Sequence, residues 1–314
     1  VELMITERRD EADGVVSLRL ERADGGELPP WRPGAHVDVT LDPDQGLVRQ
    51  YSLCSDPDDP GRWRLGILRE PGGRGGSEHV FDKLHGGDIV EVGEPRNHFA
   101  LEPAPRYVFV AGGIGITPIL PMIAHAVRTG ADWTLLYGGR SRSSMAFVDE
   151  LAGHGDRVRI APQDESGLLD LGPLLDVPVP GTLVYACGPA ALLDAVDARM
   201  PGWPPGSLRV ERFSPVVPAA TGPDGAFEVE FVASGVTVTV PPDRSILTVA
   251  EESGILADWS CREGTCGSCE VPMLGGRAEH RDSVLTGSEQ GAQDCLMICV
   301  SRAEAGCPLL RIDL

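Results

Sequence analysis

Four cysteines carry the most specific chemistry in this 314-residue chain. Cys261, Cys266 and Cys269 are separated by four and then two residues, and Cys299 follows after another 29. That is the ligand spacing of a plant-type 2Fe-2S cluster. Two irons bridged by two sulfides need thiolates converging from all sides, so one loop must wrap the cluster while a remote strand closes its far side. Gly264, Gly267 and Ser268 suit such a loop, because a chain turning this tightly needs unusual φ/ψ and N–H groups close to sulfur. A zinc site would usually show two Cys-x-x-Cys knuckles, and only one such pair is present. A disulfide framework belongs to small secreted domains, and the N-terminus here lacks a basic-then-apolar signal pattern. Of the other cysteines, Cys54, Cys187, Cys295 and Cys307 are too scattered for a second metal site and are expected as buried free thiols. Cys295 lies four residues before Cys299 and competes with it for the fourth ligand position.

Such a cluster takes one electron at a time, at roughly −400 mV, and the rest of the chain must supply it. The length allows two or three domains. With 39 Gly and 27 Pro, the composition favours many turns and strand ends over long helices. A formal net charge of −20 argues against nucleic acid or an anionic membrane as partner and for docking against a basic face. No apolar run approaches the ~20 residues of a membrane span, and a cytoplasmic location is expected. The chain opens on Val1 rather than Met. A piece excised from a longer polypeptide would begin so, as would a processed or trimmed start.

In the first hundred residues, the segments 3–7, 15–20, 36–41, 48–53, 64–68 and 89–92 read as short strands between Gly, Pro and Asp turns, several of them alternating apolar and polar residues. Six short strands in that length predict a closed antiparallel barrel. Within it, Arg49-Gln50-Tyr51-Ser52-Leu53 offers a cation for a phosphate, an aromatic wall for a flavin ring and a hydroxyl for its polar edge. Gly72-Gly-Arg-Gly-Gly-Ser77 precedes a short helix, 77–84, expected to be capped by Ser77 and ended by Gly86-Gly87. A glycine-rich turn feeding a helix N-terminus presents free N–H groups and the positive end of the dipole, a natural phosphate seat.

The next stretch changes period. Strands are predicted at 106–111, 133–137, 158–161 and 182–186 with helices between them, an alternation that implies a parallel α/β sheet. Ligands bind such sheets at the carboxyl ends of the strands, where Gly112-Gly-Ile-Gly-Ile-Thr117-Pro and Cys187-Gly188-Pro189 both fall. Residues 214–225 form a Pro/Gly-rich connector. Beyond it, 227–232 and 236–240 read as a β-hairpin and 245–253 as a helix, the β-grasp order that leads into the cluster loop. From Phe227 onward, fourteen acidic residues stand against six basic ones, a surface suited to steering a basic electron-transfer partner.

Taken together, Arg49-x-Tyr-Ser-Leu, Gly73-Arg-Gly-Gly-Ser77, Pro95-Arg-Asn-His-Phe99, the Gly112 to Pro118 turn, Cys187-Gly-Pro189 and the cysteine spacing resemble the phthalate dioxygenase reductase and vanillate O-demethylase reductase group of the ferredoxin-NADP reductase superfamily. The resemblance covers essentially the whole chain. It implies an FMN-binding barrel over 1–104, an NAD(P)H-binding α/β domain over 105–214, a linker over 215–226 and a plant-type 2Fe-2S ferredoxin domain over 227–314. Residue by residue, it assigns Arg49 to the FMN phosphate, Tyr51 and Ser52 to the ring, and Arg69, Gly76 and Ser77 to the phosphate side. Gly113, Gly115 and Thr117 would pass the dinucleotide diphosphate and flank the nicotinamide, with Cys187, Gly188 and Pro189 across from them. Ser52, Thr117 and Cys187 are thus the candidates for contact with the reacting atoms. Phe213 would shield the flavin and Glu211 would line the nicotinamide pocket, although plain edge-strand packing explains that stretch equally. The family spacing favours Cys299 over Cys295 as fourth ligand.

Arg140 and Arg142, after the second α/β strand, suit a ribose 2′-phosphate and hence NADPH, whereas the resembled group mostly uses NADH, which is the expectation adopted. The implied activity is transfer of electrons from NADH through FMN and the cluster to a terminal oxygenase. That partner is either a Rieske non-haem iron enzyme or a haem-thiolate monooxygenase, separate or fused upstream, and the reductase itself is expected to be monomeric. Two other readings stay open: a redox-sensing module that passes no electrons on, and a reductase of free flavin or quinone.

Overall fold

The computed structural model describes residues 1–215 and 224–314, so most of the expected linker, 216–223, lies outside the described residues. The chain folds as two compact units, Val1–Glu211 and Arg212–Leu314. The barrel and the parallel sheet therefore share the first unit.

The barrel strands are β1 (Glu2–Ala12), β2 (Val15–Glu21), β3 (His36–Asp42), β4 (Leu47–Ser52) and β5 (Trp63–Leu68), followed by helix α1 (Gly76–Lys83) and β6 (Ile89–Val92). They pair antiparallel in the order β4-β3-β6-β1-β2-β5. A single bridge between Leu53 and Leu65 joins the two edges and closes the barrel. Inward positions two residues apart, such as Leu3 and Ile5 or Leu18 and Leu20, are buried in one apolar core. Helix α1 departs from expectation at its start. Gly75 takes the cap position at φ 78°, and Ser77 lies inside the helix. The Ser77 hydroxyl instead accepts the Glu70 N–H at 2.9 Å, tying the turn to the helix it feeds.

The second half of the unit contains β7 (Arg106–Gly112), α2 (Ile119–Thr129), β8 (Asp132–Gly139), α3 (Val148–Ala152), β9 (Val158–Pro162), α4 (Gln163–Ser166), α5 (Gly172–Leu175), β10 (Thr182–Cys187), α6 (Ala190–Asp197) and β11 (Leu208–Glu211). All five strands run parallel, in the order β11-β10-β7-β8-β9. The chain moves outward from β7 to β9 and then returns to the other side with β10. The carboxyl ends of β7 and β10 consequently flank a topological switch point, where open α/β sheets take their ligands.

Two tyrosines fasten the connector between barrel and sheet. The Tyr185 hydroxyl accepts the Glu102 N–H at 2.7 Å and donates to the Ala100 carbonyl at 2.9 Å. That of Tyr107 accepts from Ala104 at 2.9 Å and donates to Glu102 at 3.0 Å. Both rings pack with Phe109 in the core beneath the sheet.

The second unit comprises β12 (Phe227–Phe231), β13 (Val236–Val240), α7 (Ile246–Glu252), β14 (Glu270–Gly275), β15 (Ala278–Glu279), α8 (Gly287–Ala292), β16 (Cys295–Met297), β17 (Arg302–Ala303) and β18 (Leu309–Ile312). Its sheet order is β13-β12-β18-β14-β16, with β12 and β18 parallel, as a β-grasp fold requires. Ser245 caps α7, accepting the Thr248 N–H at 3.1 Å. The near end of the linker is anchored here. Asp224 receives Arg281 at 2.6 and 3.0 Å, and the Gly225 carbonyl receives Arg302 at 3.1 Å. No helix of the described residues is long and apolar enough to cross a membrane.

Tyr185→Phe leaves the Glu102 N–H and the Ala100 carbonyl without their partner. A loss of about 1–3 kcal/mol is expected, read as a lower urea midpoint at unchanged slope.

Candidate functional site

In the barrel, register places Arg49 beside Val39, Tyr51 beside Val37 and Ser52 beside His36. The Tyr51 ring packs against the barrel core, and burial raises its phenol above the ordinary value while Arg49 opposes the shift. Arg49 donates to the Val48 carbonyl at 2.7 Å and to the Arg74 carbonyl, and its stem lies directly against Gly76. The guanidinium is thereby held at the N-terminus of the eight-residue α1, where the first N–H groups lack intrahelical partners. A cation and a helix N-terminus facing one spot fit a flavin phosphate.

Arg69 is not brought to that spot. It pairs with Asp82 on the last turn of α1 at 3.0 Å and lies 5.3 Å over the Phe81 ring, about 9 Å along the axis from the helix start. The Pro95 to Phe99 motif has a structural task, with His36 and Arg96 exchanging backbone bonds at 2.9 and 3.0 Å and Asn97 holding the Pro33 carbonyl at 3.0 Å.

At the switch point, Gly113–Ile116 forms one 3-10 turn after β7. The parallel register sets Cys187 beside Ala111, so the turn after β10 is pressed onto it. A Cβ on Gly115 would fall inside the Cys187 carbonyl, and one on Gly188 would lie 2.9 Å from the Gly112 nitrogen. Gly112 and Gly115 thus meet Cys187, Gly188 and Pro189, whereas Gly113 faces open space. Only backbone this close leaves a groove for a dinucleotide diphosphate. Thr117 is buried, and its hydroxyl donates to the Ile114 carbonyl at 2.9 Å. The hydroxyl proton is thus committed to the turn itself.

The Thr117 methyl faces Gly66 of β5, a residue that sequence reasoning missed. A Cβ on Gly66 would lie 2.7 Å from Thr117 Cγ2 and 3.3 Å from the Phe147 ring. Phe147 holds the left-handed backbone at φ 62°, with Arg64 4.9 Å over its ring. Arg64 is forked onto Glu150 at 2.8 and 3.1 Å and bonds the Cys54 carbonyl at 2.8 Å. A glycine in the middle of a predicted strand was the available signal, since it marks close backbone approach.

Cys187 Sγ lies 3.9 Å from Glu211 Oε2, its register partner on β11. Burial, then the neighbouring carboxylate, pushes the thiol well above its usual value, so at neutral pH it stays a thiol. Desolvation lifts Glu211 to about 8. The residue is half-buried, and its carboxyl faces the buried Cys187 thiol. Farther along the strand ends, Arg142 faces Glu165 at 3.4 Å, and exposed Arg140 accepts the Asp164 N–H on its carbonyl at 3.1 Å. Phe213 lies beyond the first unit's boundary and is 43% exposed.

In the second unit, Cys261, Cys266 and Cys269 lie on the irregular loop after α7, and Cys299 on the turn after β16, one step past the strand expected to carry it. All four are buried. Among the described residues, no three His, Cys, Asp or Glu stand as a single-ion site. The thiols instead meet in pairs: Cys261 with Cys266 and Cys299, and Cys269 with Cys299. The N–H groups of Glu263 and Thr265 point at Cys261 Sγ, 3.3 and 3.5 Å away, and Ser268 Oγ is 3.2 Å from Cys266 Sγ. Thiols in this arrangement, with N–H groups aimed at sulfur, fit a two-iron cluster. Cys295 faces Pro272 across the strand pair and, like Cys307, is half-buried rather than buried.

Residues 230–304 match the model of the 2Fe-2S iron-sulfur cluster binding domain. The chain is 38% identical over 319 residues to a vanillate O-demethylase oxidoreductase of a Pseudomonas strain, covering 99% of each. Among solved structures, it is similar to phthalate dioxygenase reductase, described as modular for electron transfer from pyridine nucleotides to a 2Fe-2S centre, with 36% identity, a TM-score of 0.72, and 100% and 98% of the two chains covered. It also matches an intact type IV self-sufficient cytochrome P450 monooxygenase at 41% identity and a TM-score of 0.91, spanning 41% of that longer chain.

Gly66→Ala is expected to cost about 1–3 kcal/mol through overpacking and to slow NADH-dependent flavin bleaching in stopped flow. For Glu211, the folded chain keeps between 4.5 and about 8 a proton that the unfolded chain releases, so stability falls as pH rises through that window. Urea midpoints taken across it should decline less in Glu211→Gln than in the wild type.

Proposed function

This chain belongs to the phthalate dioxygenase reductase and vanillate O-demethylase oxidoreductase family, and from that premise we propose that it carries electrons from NADH through FMN and a 2Fe-2S cluster to a terminal oxygenase. The observation that carries this reading is the seam between Gly66 and Thr117, which puts the flavin barrel and the nucleotide turns on one face. When bound, a flavin takes two electrons at once from a nicotinamide and gives them singly to an iron-sulfur cluster.

The chain's own residues bind and position. Arg49 and the start of α1 hold the phosphate, and Tyr51 and Ser52 line the ring. The Gly112 to Thr117 and Cys187 to Pro189 turns hold the nucleotide with its nicotinamide toward the barrel. Burial keeps the Cys187 thiol protonated beside Glu211, so it does not act as a thiolate nucleophile. Cys261, Cys266, Cys269 and Cys299 hold the irons.

NADH is favoured over NADPH because Glu165 neutralises Arg142 and offers the carboxylate that suits a ribose hydroxyl. The oxygenase partner is of Rieske non-haem iron or haem-thiolate type, consistent with relatives named as subunits of oxygenase systems and with a P450 fusion among the structural matches. A monomeric, cytoplasmic reductase completes the reading, supported by the chain's acidic surface.

An anaerobic titration with NADH, and separately with NADPH, tests it by absorbance. Uptake of about three electrons per chain is expected, with flavin and cluster bleaching together. Flavin bleaching with an oxidised cluster would instead favour the sensor or the free-flavin reductase. Cys266→Ser should abolish NADH-dependent reduction of cytochrome c while sparing flavin reduction.

A further inference from the structure

A buried group of side chains behind the cluster loop has no part in the chemistry described so far. The loop's tip, Gly264, stands at φ 70°, and a Cβ there would lie 2.6 Å from Val300 Cγ2 and 3.0 Å from Asp282 Cα. Its carbonyl accepts two hydrogen bonds from one residue, the Ser283 N–H at 2.8 Å and the Ser283 hydroxyl at 3.1 Å. Asp282 fixes the turn that carries Ser283. Its Oδ1 accepts the N–H groups of Val284 at 3.0 Å and Leu285 at 2.8 Å.

The other oxygen, Oδ2, is buried without a hydrogen-bond partner and faces the equally unpartnered His280 Nδ1 across 3.9 Å. Both side chains are at most 4% exposed. On the far side of the ring, His280 Nε2 lies 3.0 Å from Gln293 Nε2. The Gln293 amide is oriented by its oxygen, which accepts the Ala278 N–H at 2.6 Å. The same amide nitrogen donates to the Ala278 carbonyl at 3.1 Å and the Gln290 carbonyl at 2.8 Å, so it fixes the place of the ring, and the ring's free edge, Nδ1, is turned toward Asp282. Desolvation lowers the His280 pKa and keeps the ring neutral.

We propose that His280, Asp282 and Ser283 form a buried positioning relay that fixes the tip of the cluster loop and thereby the reduction potential and retention of the cluster. It rests on the reading that the four cysteines hold a 2Fe-2S centre. Outer partners of metal ligands act in this way, by orienting the atoms that touch the metal. A carboxylate oxygen buried without a donor is costly, and His280 Nδ1, 3.9 Å away, is the group that faces it.

The test uses the full holoprotein. Iron and acid-labile sulfide per wild-type chain come first, and a chain without them overturns the cluster reading and the relay together. Cluster loss is then followed by visible absorbance under EDTA, and the cluster's midpoint potential by redox titration read by EPR. His280→Leu and Asp282→Asn are expected to lose the cluster about tenfold faster and to shift its reduction equilibrium about tenfold, about 59 mV for one electron. His280→Asn, whose amide nitrogen takes the place of Nδ1, should stay within about twofold of wild type. Ser283→Ala, which leaves no buried charge, should move both readouts the same way by about threefold, and it serves if His280→Leu fails to fold. Flavin reduction by NADH should be unchanged throughout. Wild-type potentials and loss rates in Asp282→Asn and Ser283→Ala would overturn the relay, as would His280→Asn behaving like Asp282→Asn.

Discussion

The first unit depends on backbone approaching backbone where side chains would keep it apart. The turn after β7 lies on the turn after β10 at Gly115 and Gly188, and Thr117 in turn lies on β5 at Gly66. Each approach is short because a Cβ is missing from one partner. The parallel register of β7 and β10 makes the first meeting unavoidable, since Cys187 and Ala111 end their strands side by side. The second joins two different folds. It sets the turn after β7 against β5 of the barrel, within one compact unit.

The polar interactions around this seam reinforce it. Arg64 reaches from the barrel to Glu150 and stacks on Phe147, a bulky residue held in a left-handed backbone. Strained φ at such a residue persists only where the surroundings over-determine it, and here a ring, a cation and a glycine strand do so. At the ends of β10 and β11, Cys187 is buried and Glu211 half-buried, and both are pushed toward their neutral forms.

The iron-sulfur unit meets a different constraint, that of wrapping a charged cluster in a small fold. Its loop satisfies sulfur with backbone N–H groups and anchors its tip through Ser283 to a turn that Asp282 stabilises from within. The turn bearing Cys299 follows β16, whose neighbour β14 leads directly out of the loop at Cys269. The β-grasp sheet thereby brings the distant fourth ligand to the first three.

The sequence alone determined the spacing of the four cysteines, the change from period-two strands to alternating strands and helices, and the glycine-rich turns, because these are local patterns with local physical causes. The six barrel strands, the parallel strands β7 to β10 and the α7 helix fall close to where that periodicity put them. Tertiary structure decided what depends on distant residues. It chose Gly75 over Ser77 as the start of α1 and sent Arg69 to Asp82, away from the phosphate seat, because an ion pair across a helix cannot be read from strand periodicity. It turned the Thr117 hydroxyl inward to its own turn and gave Gly66 its purpose. The contact of Ser283 with Gly264, and of Cys187 with Glu211, likewise arises only when residues 19 and 24 positions apart are folded together. Short-range spacing is written in the order of residues, whereas burial and partner choice follow from which surfaces the fold excludes from water.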